Sequence, residues 1–169
     1  RRLAFVCFMT IAAVAVGYVA WLVDRHTIVL VSARRLLPRW DLATHLESGW
    51  IDYHLLVTGQ IHRLLWDLWL QGYWPPMLSI WQVPFYLILG TGMTPGLISA
   101  LAAFVLIGLT GSALMWRQWK SAAWLAASLF LALLVSSPYL LAYASVTMTE
   151  TLGALFQLLV LLAYARYRE

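Results

Sequence analysis

The chain has 169 residues, 63% of them apolar and only 11% charged, with a mean hydropathy of +0.80. That balance excludes an ordinary soluble domain, and the net charge of +4 is not gathered on one polar face, which argues against nucleic-acid binding. The single cysteine, Cys7, allows neither an intrachain disulfide nor a cysteine metal cluster.

Four segments, residues 3–23, 95–116, 122–138 and 151–167, are apolar and long enough to cross a bilayer, whose core of about 30 Å takes about 20 helical residues. Arg1 and Arg2 precede the first, as in a signal peptide. It is longer than a usual signal core, however, and no small-x-small cleavage site precedes Asp24, so it reads as a retained anchor. The chain starts at Arg1 and stops at Glu169 directly after an apolar helix, which predicts a piece of a longer protein.

Between the first two spans lies a long loop, residues 24–94. It holds Asp24, Asp41, Glu47, Asp52 and Asp67, five of the seven carboxylates, and all four histidines. Over residues 41–57 a 100° step gathers Leu42, Leu46, Trp50, Tyr53 and Val57 on one side. Asp41, His45, Ser48 and Asp52 fall on the other. This predicts a helix in the membrane interface, aromatic side down and acids towards water, with Asp41 as N-cap. Residues 61–74 form a second aromatic stretch that ends at Pro75-Pro76. The apolar run 77–89 contains Pro84 and is too short to span, so it is expected at the interface or re-entrant.

The basic residues set the orientation. With four spans, Arg1-Arg2, Arg117/Lys120 and Arg166/Arg168 all lie on one side, which the positive-inside rule makes cytoplasmic. A fifth span at 77–89 would put the last two clusters outside. The expected fold is therefore an all-α, polytopic membrane protein with four transmembrane helices and both ends cytoplasmic. Loop 24–94, with interfacial helices, faces the exterior of a cell (inner) membrane. Residues 1–169 form one transmembrane unit.

Several short motifs occur in a characteristic order. They are "RWDLATHLESGWIDYHLLVTGQI" after the anchor, "YWPPMLSIWQVPFYLILGTG", a span ending "WRQWK", another ending "SSPYLLAY", and "SVTMTETLGALFQLL". In this order the chain resembles the N-terminal part of the GT-C membrane glycosyltransferases, in the branch of protein O-mannosyltransferases and the lipid A aminoarabinose transferase. The resemblance implies transfer of a sugar from a polyprenyl phosphate to a protein or lipid acceptor at the extracytoplasmic face. It also implies that Asp41, after Trp40, takes the place of the family's catalytic aspartate, and that Glu150 in "MTETL" matches a second cavity acid. Leu42 departs from the pattern, standing where the family has another acid.

The chemistry such a transfer needs has candidates here. Asp41 is the candidate general base, and Arg34, Arg35 and Arg39 are candidates to hold the phosphate leaving group. His45, one turn from Asp41, is a candidate substrate contact. No nucleotide-binding glycine motif and no metal-ligand spacing appears, so no cofactor is expected; a divalent cation is compatible with the chemistry, but no residue set asks for it.

Each residue also has a plain structural explanation. Asp41 serves as a helix cap, Glu150 favours a helix N-terminus, and the arginines meet lipid headgroups. His45 sits idle on a wet face. A noncatalytic membrane subunit packing in a larger complex is the alternative function. A pigment-binding protein is disfavoured because no histidine lies within a span, and a transporter because no span interior carries an ionisable group.

Overall fold

The structure, a computed structural model, describes residues 2–32, 40–71, 76–144 and 149–168. It is all-α. The described residues form eight helices: α1 (Arg2–Ser32), α2 (Trp40–Val57), α3 (Ile61–Leu70), α4 (Met77–Leu89), α5 (Met93–Gln118), α6 (Ala123–Ser136), α7 (Pro138–Ala144) and α8 (Thr149–Tyr167).

Helix α5 is the axis of the bundle, touching α1, α4, α6, α7 and α8. Its small residues make this close packing feasible. A Cβ on Gly108 would meet Val16 of α1 and Leu134 of α6 at 3.3 Å, and one on Gly111 would run into the Phe130 ring. Small residues at a helix interface let the backbones approach this closely. Around these contacts Val16, Ala20, Ala103, Phe104, Ile107, Leu134, Leu152 and Leu155 form the buried core.

Helices α1 and α6 run antiparallel to α5, whereas α8 runs parallel to it. Phe5 of α1 and Leu162 of α8 share a groove with Trp116 and Arg117 at the end of α5, whereas Val16 faces Gly108 farther back. One end of the bundle thus collects the start of α1 and the ends of α5 and α8. Arg2, Arg117, Arg166 and Arg168 are all placed there. Phe5, Phe8, Trp116 and Trp124 form a continuous aromatic cluster at the same end, with ring centroids 5.1–5.4 Å apart.

Two helical segments, Arg2–Leu22 and Met93–Gln118, are long and apolar enough to cross a bilayer. Helix α1 continues past the expected end of the anchor to Ser32, so the start of the loop at residue 24 is still helical. Its 31 residues extend roughly 46 Å, more than a hydrocarbon core requires. The expected third span, 122–138, is observed as a single helix, α6, that starts one residue later and stops two residues earlier. Ser137 takes an extended conformation, ending α6 after 14 residues, and Pro138 opens α7. Proline suits a first helical position because its missing N–H would have no partner there anyway. Leu140 N instead donates to Ser137 Oγ at 3.4 Å.

The loop helices pack on the opposite end from the arginines. Leu46 of α2 lies against Gly96, and Trp81 Nε1 of α4 donates to Ser99 O at 2.9 Å, both in the first two turns of α5. Met77 and Leu78 of α4 border Thr149, Leu152 and Gly153 at the start of α8. Helix α4 is thereby held on two sides by the bundle.

Candidate functional site

Helices α2 and α4 lie antiparallel along their length. Tyr86 Oη donates to Leu46 O at 3.3 Å, Gln82 rests on Gly49, and Ser79 lies beside Asp52. A Cβ at Gly49 would overlap the Gln82 amide, so glycine is what permits this approach. The buried face of α2 is therefore His45, Leu46, Gly49 and Asp52.

This corrects the expected faces of the helix. His45 is 4% exposed and Asp52 fully buried, so neither faces water as expected, while Trp50 and Val57 of the apolar side are exposed. The reason is the partner. Periodicity finds the most apolar arc, but α4 offers Ser79 and Gln82 to the polar one, and both are themselves buried. Helix α2 is held by another helix through its polar stripe, leaving Trp50 and Val57 outward. His45 accordingly does not face water.

Other predicted residues stand as follows. Asp41 is in the first turn of α2; its side chain lies outside the described residues, as do Arg34, Arg35 and Arg39 and the Tyr73-Trp74-Pro75 motif. Glu150 is exposed in the first turn of α8, with Thr149 Oγ1 3.3 Å from its Oε2. Because α2 is antiparallel to α4, its first turn lies towards the Tyr86 end of α4. Glu150 lies towards the Met77 end.

Beside the Tyr86 end is a groove of about 490 Å³, bordered by Leu46, Glu47, Trp50, Tyr86, Thr91 and Met93. Its floor is formed where α4 turns into α5. Gly90 closes α4 at φ 84°, its N–H donating to Tyr86 O, and Gly92 follows at φ 151°. Left-handed closure of this kind costs glycine little. The wall is largely apolar, with an exposed indole and a carboxylate one helical turn apart. Burial pushes the Tyr86 phenol up to about 12, so it remains a neutral hydrogen-bond donor.

The other end of the α2–α4 contact holds a polar layer. Burial pushes the Asp52 carboxyl up from 3.8 to about 6; the Ser79 hydroxyl opposes the rise, and the nearby Asp67 carboxylate adds to it. Gln71 Nε2 donates to Asp67 Oδ2 at 2.7 Å, and Ser79 Oγ lies 3.1 Å from Gln71 Oε1 and 2.8 Å from Pro76 O. Neither Asp52 oxygen receives a well-aligned hydrogen bond, nor does either end of the Gln82 amide.

The polar layer leaves little trace in the sequence: Asp52 lies on the polar arc of α2 and Asp67 within an aromatic stretch. The available signal was Gln82, a lone amide in the middle of the apolar run of α4, at the same spacing from Ser79 as Asp52 is from Gly49. Among the described residues no three His, Cys, Asp or Glu side chains converge as metal ligands. No protein-family model, no curated protein and no solved structure matches this chain.

Proposed function

We propose that the chain belongs to an extracytoplasmic glycosyltransferase that moves a sugar from a polyprenyl phosphate to a protein or lipid acceptor. The observation that carries this reading is the groove beside the first half of α2. It offers Trp50, half exposed, as a flat apolar surface and Glu47 as a hydroxyl acceptor, on the helix that begins with Trp40-Asp41. A mostly apolar cleft with a few placed polar groups is the common form of a small-ligand site. An amphiphilic donor needs such a cleft near the bilayer surface.

In this reading α1, α5, α6 with α7, and α8 cross the membrane, and α2–α4 lie on its outer face. The separation of the arginine and aromatic end from the loop helices supports that arrangement, since basic residues favour the cytoplasmic side and aromatic rings the headgroup depth. Asp41 takes the acceptor's proton as the anomeric bond breaks; the acceptor oxygen bonds to the anomeric carbon, and the phosphate leaves with the bonding pair. Arg35 and Arg39 hold that phosphate. Glu150 contacts substrate from α8. His45, being buried, positions α2 instead of touching substrate.

The test is transfer from a polyprenyl-phosphate-linked sugar by the intact protein in membrane vesicles. Asp41→Asn should lower it by about 10² to 10⁴-fold, the usual contribution of a general base. Undiminished transfer would remove Asp41 from the chemistry. Absence of transfer by the wild type, together with stable co-purification of other membrane proteins, would favour the noncatalytic subunit, the reading to which Leu42 in place of an acid points.

A further inference from the structure

The polar layer between α2, α3 and α4 has more acceptors than protons. Asp52, at 0% exposure, presents two oxygens with no well-aligned donor, although Ser79, Gln71 and the Asp67 carboxyl all lie beside it. Asp67 has one oxygen engaged by Gln71. Gln71 Oε1, Ser79 Oγ and Pro76 O gather on the same side, and the single Ser79 proton serves only one of Asp52, Gln71 Oε1 and Pro76 O at a time. One turn along the same faces, Gln82 is also fully buried and unbonded, lying over Gly49. Buried carboxylates and amides left in this state are rare because each costs its desolvation without return.

We propose that Asp52 and Asp67, with the Gln71 and Ser79 oxygens, form a binding site for a hard divalent cation of the calcium type. The donor set is all oxygen, which excludes the softer metals that select histidine or cysteine. Calcium accepts carboxylates, side-chain amide oxygens and backbone carbonyls together in irregular arrangements, and two carboxylates neutralise its charge. Magnesium demands a near-ideal octahedron and keeps several waters, which a layer between packed helices does not accommodate.

A proton shared by the two carboxyls is the competing explanation, but it gives the Asp52 oxygens no better-aligned partner than Ser79 and Gln71 and leaves Gln82 unmet. Asp67 is only partly buried, so the layer opens towards the surface at α3. The cation would tie α3 to the α2–α4 pair at the end where the three helices meet. This inference concerns the far end of α2 from the groove and does not depend on the sugar-transfer reading.

Terbium chloride is the probe, because Trp66 and Trp69 flank Asp67 on α3 and transfer excitation to a bound lanthanide. The purified full-length protein should show saturable tryptophan-sensitised terbium emission that calcium displaces and magnesium displaces poorly. Asp52→Asn and Asp67→Asn should each weaken it by about tenfold or more, whereas Glu150→Gln should not. Wild-type thermal unfolding, followed in chelator and then in millimolar calcium, supplies a readout independent of the variants, since a ligand that binds only the folded state raises the midpoint. Absence of saturable emission, emission unchanged in both Asn variants, or an unfolding midpoint unmoved by calcium would each overturn the proposal in favour of the shared proton.

Discussion

The two ends of this bundle solve opposite problems. At one, Phe5, Phe8, Trp116 and Trp124 stack against one another while Arg2 and Arg117 border the same groove. Its charges are at the surface and its rings fill the gaps between helices. At the other end, α2 turns a polar stripe inward, so that Asp52 and Gln82 are fully buried and Trp50 is left outside. An arginine at the edge of an apolar groove gives up little hydration, whereas a buried carboxylate loses nearly all of it. The first arrangement anchors. The second stores an unmet electrostatic demand, which is a common mark of a working site.

If chemistry belongs to the second end alone, variants there should cost far more activity than those at the first. The largest expected effect is that of Asp41→Asn, at about 10² to 10⁴-fold in sugar transfer. Glu150→Gln, at the far side of α4 from the start of α2, should cause a smaller loss in the same assay. Arg117→Gln should leave transfer near wild type and act on orientation or expression only. Comparable losses in the Arg117 and Asp41 variants would erase the distinction between the ends.

A second contrast lies in pH. An acid whose pKa is raised on folding binds its proton more tightly in the folded chain. The contribution of Asp52 to stability is therefore complete below about 3.8 and is lost as pH rises to about 6, beyond which it changes no further. In chelator, the unfolding midpoint of the wild type should fall across that interval. Asp52→Asn should flatten the curve and unfold at a higher temperature than wild type at pH 7. An unchanged slope in the variant would show that Asp52 is not the titrating group.

How much of this could be read from the sequence differs from element to element. Helix α2 was expected over residues 41–57 and is observed as Trp40–Val57; α5 exceeds its expected bounds by two residues at each end and α8 by two at the start. Apolar periodicity and length carry that information well. The facing of α2 was misread because the burial of a polar stripe depends on what another helix presents, here Ser79 and Gln82. The stop of α6 at Ser136, two residues short of the expected bound, follows from Pro138, whose ring pushes Ser137 out of the helical region. The place of Asp41 relative to Glu150 depends on α4 running between them, a relation that no local pattern encodes.

The smallest perturbation tests the central claim, that the two ends occupy opposite faces of a membrane and the acid-bearing helices the outer one. Cys7 is first replaced by serine, and single cysteines are then placed at Gln118, at the end of α5, and at Thr58, in the exposed turn between α2 and α3. With a membrane-impermeant maleimide added to intact cells, the account predicts labelling at Thr58 only, and labelling at Gln118 after the membrane is opened. Labelling of both positions in intact cells, or protection of both until lysis, would contradict it.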